Sequence, residues 1–276
     1  MTSAVKQVLP AGDSLHLVQI TDTHLKETPG GRLVGMDTDH SLEHVIDLVR
    51  RERAQLDLVL GTGDISDHGS EAAYLRAQAY FARLEAPVAW LPGNHDSAES
   101  MQQVLAADEG FIRAVDAGHW RIVLLNSQIP GEVGGELGPD ELAWLEQNLA
   151  AASAAGQHCL VCLHHQPVPM GSAWIDEQMV ADREALFAVL DAHECVRGLL
   201  WGHVHQQLDS ERNGVKLMSS PSSCIQFAPN SFDFKIDDQP PGYRWLALHA
   251  DGTIDTGVSR VLNASFDVDL DSSGYL

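Results

Sequence analysis

Residues 56–64 read LDLVLGTGD, an apolar run of strand length that stops at a glycine-rich turn and delivers Asp64. The same figure recurs along the chain. His16–Ile20 (HLVQI) leads to Asp22-Thr23-His24, Pro87–Leu91 to Gly93-Asn94-His95-Asp96, Leu160–Leu163 to His164-His165, and Val196–Trp201 to Gly202-His203-Val204-His205. Helical patterns lie between these runs. In Ser41–Arg53, Leu42, Val45, Ile46 and Val49 recur at i, i+3, i+4 and i+7. Further helices are expected over 71–84, over 98–117, from Pro139 to about Ala155, and over 182–192. Arg121–Leu125 and Lys216–Ser219 read as additional strands, and residues 242–261 as a hairpin turned at Asp251-Gly252. Strand–helix alternation predicts an α/β sheet covered by helices, with antiparallel strands added late. No repeat, low-complexity tract or Pro/Ser-rich linker divides the chain. Residues 1–276 therefore read as one domain, with a short acidic tail over 263–276 expected to be loosely held.

Composition narrows the function. The 276 residues carry 17 Lys and Arg against 39 Asp and Glu, a net charge of −22, and are 44% hydrophobic, as in an ordinary globular protein. The acidic excess argues against a nucleic-acid binder, which needs a basic face, and against adsorption to anionic membranes. No apolar run approaches the ~20 residues of a membrane span, and MTSAVKQVLPAGDSLHL has no continuous apolar stretch of signal-peptide type. A cytoplasmic location is the expectation. Cys159 and Cys162 have C-x-x-C spacing, but they lie within the strand-like QHCLVCLHH, where residues three apart face opposite ways. Structural thiols are expected there rather than a redox or zinc pair, with Cys195 and Cys224 as the other two cysteines. The 14 histidines nearly equal all Lys and Arg together; acid plus histidine is the material of metal sites.

The carboxyl ends of strands are where open α/β sheets bind ligands. Taken singly, each cluster has an ordinary reading: Asp64 as a helix N-cap, Asn94 as a turn residue, His164 as a core histidine. Taken together, Asp22, His24, Asp64, Asn94, His164, His203 and His205 supply carboxylate, amide and imidazole donors without a cysteine, unlike a closed structural zinc site. Seven donors exceed one tetrahedral ion and fit two ions sharing a carboxylate. Mixed oxygen and nitrogen donors suit Mn²⁺, Fe²⁺ or Zn²⁺ better than Mg²⁺ or Ca²⁺. The i, i+2 spacing in DTH and HVH is expected to put both side chains on one side of an extended segment. No G-x-x-x-x-G-K-[ST] phosphate loop is present.

In this order, DTH, GD, GNHD, H and GHVH resemble the calcineurin-like metallophosphoesterases. The flanking segments QITDTHL, WLPGNHD, GELGPDELAWLEQNL, LHHQPVP, WGHVHQQLD, PSSCIQFAPN and PGYRWLALHADGT are similar to the bacterial class III cyclic AMP phosphodiesterases over nearly the whole chain. The resemblance implies a four-layer α/β/β/α sandwich with a dinuclear centre between the sheets. By the same resemblance, Asp22, His24, Asp64 and His205 hold one ion. Asp64, Asn94, His164 and His203 hold the other, with Asp64 bridging. His164 matches the family ligand, leaving His165 to a supporting hydrogen bond, and Asp96 orients His95 or caps a loop. The implied reaction is hydrolysis of 3′,5′-cyclic AMP to 5′-AMP by a hydroxide activated between the ions, with His95 as general acid. His24, Asp64, Asn94, His95, His164 and His205 surround the substrate phosphate. The implied metals are Fe²⁺ or Mn²⁺, with Zn²⁺ compatible, and the partner is a small cyclic nucleotide. Another phosphodiester or a phosphomonoester is the alternative substrate within this fold. A non-catalytic metal-bearing scaffold is a distant alternative, since all ligand types and His95 are retained. Residues 31–41 and 221–230 are the candidate specificity loops, and Trp90 and Trp174 the candidate base-stacking aromatics.

Overall fold

The computed structural model of the protein describes residues 4–10, 12–106 and 112–274. In chain order the elements are β1 (Ala4–Val8), β2 (Ser14–Ile20), β3 (Arg32–Leu33), β4 (Met36–Asp37), α1 (Thr38–Glu52), β5 (Leu58–Thr62), α2 (Glu71–Ala82), β6 (Val88–Leu91), α3 (Ala98–Ala106), β7 (Ile112–Ala117) and β8 (Trp120–Leu124). There follow α4 (Gly138–Ala155), β9 (His158–Cys162), α5 (Ala173–Asp176), α6 (Arg183–Asp191), β10 (Val196–Trp201), β11 (Leu208–Arg212), β12 (Val215–Ser219), β13 (Gln226–Phe227), β14 (Ile236–Asp237), β15 (Gly242–His249) and β16 (Ile254–Arg260).

Two sheets carry the fold. One has the order β1-β7-β8-β9-β10-β12-β11, the other β16-β15-β2-β5-β6. Period-2 alternation sends the side chains of each sheet to two different cores. Leu15, Leu17, Leu58 and Leu60 from one sheet meet Ile122, Leu124, Leu160 and Leu200 from the other. The opposite faces carry Val18, Ile20 and Val59 against Leu42, Val45, Ile46 and Val49 of α1 and Tyr74 and Phe81 of α2. Val123, Val161 and Leu199 pack against Leu145 and Leu149 of α4 and Leu186 and Leu190 of α6. The result is four layers, α/β/β/α. Cys159 falls in the outer core and Cys162 in the core between the sheets, so the two do face opposite ways.

Local chemistry fixes the helix ends. Asp37 caps α1 by accepting the His40 backbone N–H at 3.0 Å. Pro139 sits in the first turn of α4, and Gly156 ends that helix with φ 67°. The helix expected over 98–117 is shorter. α3 ends at Ala106, residues 107–111 lie outside the described segments, and Ile112–Ala117 is a strand. Ile112, Ala114, Val115 and Ala117 are buried in this strand, which lies between β1 and β8. Residues 263–274 run back over the β3–β4 hairpin. The Asp269 N–H donates to the Val34 carbonyl at 2.9 Å, and the Phe266 ring lies against His40 and His44. No helix among the described residues is long and apolar enough to cross a membrane.

β2, β5 and β6 run parallel to one another, as do β9 and β10, so their carboxyl ends open on the same edge of the sandwich. Gln19 ties the two sheets there. Its Nε2 donates to Thr62 Oγ1 at 2.6 Å and to the Trp201 carbonyl at 3.0 Å.

Candidate metal centre

All seven donors expected from the sequence converge at that edge, and all but Asn94 are almost completely buried. Asp22, His24 and His205 form one cluster whose ligand atoms lie within 4.8 Å of each other; Asp22, Asp64 and His164 form a second, and His164, His165 and His203 a third. Asp64 stands between them. Its Oδ2 is 3.7 Å from His24 Nε2 and 3.2 Å from His164 Nε2, while its Oδ1 accepts the His95 backbone N–H at 2.9 Å. Asn94 Oδ1 is 3.2 Å from His164 Nε2, and Asp22 Oδ1 is 3.3 Å from His205 Nε2.

The outer nitrogens of the histidines show what the inner ones are for. A carbonyl oxygen only accepts, so His164 Nδ1–H donates to the Thr62 carbonyl at 2.8 Å and His205 Nδ1–H to the Ile225 carbonyl at 2.8 Å. His24 Nδ1 is 3.2 Å from the Asp67 carboxylate. In the neutral ring each Nε2 is then a lone pair, and these lone pairs point at carboxylate oxygens and at each other; His24 Nε2 and His205 Nε2 are 3.3 Å apart. His203 Nε2 is buried with no hydrogen-bond partner among the described residues. Acceptors converging on acceptors in a buried site are stable only around positive charge. This donor set, with its anchored outer nitrogens, fits divalent metal ions.

The backbone is bent to bring the donors in. Asp22, His24, Asp64, His203 and His205 all have positive φ, between 45° and 66°. Such conformations cost about 1–3 kcal/mol each in non-glycine residues and persist where the surroundings over-determine them. DTH and HVH therefore depart from the extended geometry that their spacing predicts. Left-handed residues alternate with ordinary ones, and in HVH they send His203 towards His164 while His205 joins Asp22 and His24. A Cβ on Gly63 would lie 2.2 Å from His164 Nδ1, and one on Gly93 2.2 Å from Asp64 Oδ1. The glycines before these clusters are thus set by close approach as well as by turning.

Burial works to raise the Asp64 carboxyl, but His164, His95 and His24 around it hold it well below the ordinary carboxylate range. Burial likewise opposes ionisation of Asp22, and His205 more than offsets it. His164 resists charge through burial, yet Asp64 beside it lifts its pKa to about 9. Burial keeps His203 well below the usual imidazole value and lowers His24 as well. These directions favour the ionised carboxylates and, except at His164, the neutral imidazoles that ligation needs.

Four neighbours complete the site. His95 Nδ1–H donates to the Asp67 carbonyl at 3.0 Å, and its ring centroid is 4.8 Å from that of His24. Asp67, which no motif spacing singles out, joins the cluster: its carboxylate reaches His24, Lys26 and, at 3.0 Å, His68. The only sequence signal is a second acidic residue in GTGDISD. Asp96 caps loops. It accepts the backbone N–H groups of Gly93 and Ser66 at 2.9 Å and the Tyr74 hydroxyl at 3.0 Å, joining the Asp64 and Asn94 turns. His165 Nδ1 contacts Ser127 Oγ at 2.8 Å, and burial pushes its pKa down to about 3.

Of the two tryptophans offered as base-stacking candidates, Trp90 is corrected. It is 3% exposed, packed against Phe81 beneath the five-stranded sheet. Trp174 is half-buried against Phe227, which itself stacks on His205 at 4.1 Å.

The sequence profile described as calcineurin-like phosphoesterase matches residues 15–207. The chain is 48% identical over 267 residues to the 3′,5′-cyclic adenosine monophosphate phosphodiesterase CpdA of Pseudomonas aeruginosa, covering 96% of this chain and 97% of that one. It is 40% identical over 269 residues to the CpdA of Escherichia coli (strain K12), again covering 96% and 97%. Among solved structures it is similar to a dimetal phosphatase from Danio rerio, with a TM-score of 0.60 at 18% identity over 90% of this chain and 99% of that one, a likeness of fold.

Proposed function

Because the chain belongs to the calcineurin-like phosphoesterase family, we propose that its buried histidine–aspartate cluster is a dinuclear centre that hydrolyses 3′,5′-cyclic AMP to 5′-AMP. The observation that carries this reading is the convergence of acceptor atoms on both sides of Asp64, with His24, His164 and His205 anchored through their outer nitrogens. The near full-length similarity to cyclic AMP phosphodiesterases supplies the substrate class.

Asp22, His24, Asp64 and His205 would hold one ion; Asp64, Asn94, His164 and His203 the other. When bound, the ions supply Lewis-acid stabilisation of the phosphoryl oxygens and lower the pKa of water. Mn²⁺ or Fe²⁺ suits the mixed donor set. The residues contribute the rest. The Asp64 carboxylate is held by the His95 N–H on one oxygen and presents the other to both halves of the site. With Nδ1–H given to Asp67, a protonated His95 has one transferable proton, on Nε2, to place on the departing 3′ oxygen. Burial of the ligands beneath Asn94 and His95 leaves these two partly exposed side chains at the mouth, where the cyclic phosphate would sit. His24, Asp64, His164 and His205 face it from below.

The test is a substrate panel: cyclic AMP, cyclic GMP, an aryl phosphodiester and an aryl phosphomonoester, each with Mn²⁺, Fe²⁺ or chelator. The fastest kcat/KM is expected for cyclic AMP with Mn²⁺ or Fe²⁺, and none with chelator. An inert cyclic AMP beside a fast monoester overturns the substrate assignment; turnover undiminished by chelator overturns the metal centre.

A further inference from the structure

The opposite ends of β9 and β10, away from the metal centre, bring two thiols together. Cys159 is the second residue of β9, and Cys195 immediately precedes β10. The Cys159 N–H donates to the Cys195 carbonyl at 2.7 Å, and the two Sγ atoms are 3.7 Å apart. Ser153 Oγ, from the last turn of α4, is 3.3 Å from Cys195 Sγ, and the Leu149 carbonyl is 3.6 Å from it. Cys159 is wholly buried while Cys195 is partly buried, so Cys195 is the more accessible of the two thiols. Cys162, the neighbour in the C-x-x-C spacing, faces the inter-sheet core and takes no part.

We propose that Cys159 and Cys195 form a reversible dithiol–disulfide site, with Cys195 as the attacking thiol and a peroxide as its oxidant. The Cys195 thiolate attacks a peroxide oxygen and the O–O bond breaks. One oxygen stays on sulfur as sulfenic acid, and the other leaves as hydroxide, protonated to water. The Cys159 sulfur then attacks the Cys195 sulfur. The S–S bond forms, the S–O bond breaks, and the Cys159 proton departs with the oxygen as a second water. Two thiols lose two electrons and one peroxide becomes two waters.

The surroundings suit this division of roles. The hydrogen-bonding contact with Cys159, and then the one with Ser153, brings the Cys195 thiol down to about 6 against the opposing effect of burial. The same contact with Cys195, followed by burial, holds Cys159 above its usual value. Forming the bond shortens the sulfur separation from 3.7 Å to about 2.05 Å, and the adjoining backbones are already paired.

The experiment uses the full chain loaded with Mn²⁺, treated with hydrogen peroxide, alkylated, digested without reductant and mapped by mass spectrometry. A peptide pair joined through Cys159 and Cys195 is expected, and dithiothreitol should release it. In Cys159→Ser, Cys195 should accumulate as sulfenic acid trapped by dimedone. In Cys195→Ser, Cys159 should stay reduced at the same dose. Parent-like thermal melts establish that both variants fold. The proposal is overturned if both thiols stay free, if Cys195 proceeds to sulfinic acid unpaired, or if the joined peptides involve Cys162 or Cys224.

Discussion

The Nδ1–H of His95 is committed to the Asp67 carbonyl at 3.0 Å, so in the proposed reaction proton exchange with substrate falls to Nε2. His95→Ala removes that proton source and leaves the seven donors in place. We expect kcat to fall by roughly 10²–10⁴-fold with metal content unchanged. Stopped-time assays beside elemental analysis check this; a variant that loses its metal would make His95 a ligand, and one of parental rate would remove its acid role. Asp67 acts at one remove, through His24 Nδ1 at 3.2 Å and through Lys26. Asp67→Asn keeps the shape and removes the charge, and metal affinity should fall by about 10–100-fold in an equilibrium titration. Affinity equal to the parent's would show that the His24 ring is oriented by packing alone. The seven donors were legible because each directly follows an apolar run, whereas Asp67 was not. Its part depends on a turn that carries it back to His24 across 43 residues, and no spacing rule encodes that return.

At the scale of elements, the chemistry sits on turns that follow strands, and those turns are where glycine is obligatory. Gly63 has φ +97°, and a Cβ there would meet His164 Nδ1 at 2.2 Å and the Gly93 nitrogen at 2.8 Å. Relaxing the clash means moving either the metal-facing ring or the neighbouring turn. Gly63→Ala should therefore fold with lower stability and lose at least one ion, read by a thermal melt and metal analysis together; full metal occupancy would mean the turns shift without cost to the site. Periodicity located the parallel strands that carry these turns, because their apolar runs are continuous. It failed at 112–117, where Arg113 and Asp116 interrupt the run and the preceding helical pattern can be extended through it. It also missed β1, β11 and the two-residue strands, which are too short or too polar to give a period. The expected i, i+2 geometry of DTH and HVH failed for another reason. Left-handed backbone at non-glycine residues is decided by the tertiary site, which no local propensity reports.

For the molecule as a whole, a net charge of −22 and an anionic substrate look opposed. The opposition is resolved by where the acids are. Asp22 and Asp64 are the carboxylates that enter the donor set, and beyond about 8 Å in physiological salt exposed charges are largely screened. The same buried carboxylates link the metal to the fold. They draw on turns from both sheets, and five of the seven donors hold left-handed backbone, so the convergent acceptors raise the free energy of the folded chain unless positive charge sits among them. Ions that bind the folded chain and not the unfolded one stabilise it by mass action, about 4 kcal/mol at a thousand times Kd. For a chain of this size that corresponds to a melting temperature higher by on the order of 10 °C. Chelation followed by dialysis should lower the melting temperature by that order, and adding Mn²⁺ back should restore it together with activity. The Asp64→Ala chain, which lacks the shared carboxylate, should melt at the same temperature with and without Mn²⁺. If chelation abolishes activity yet leaves the parent's melting temperature unmoved, the turns are held by protein contacts alone and the ions contribute only to the chemistry.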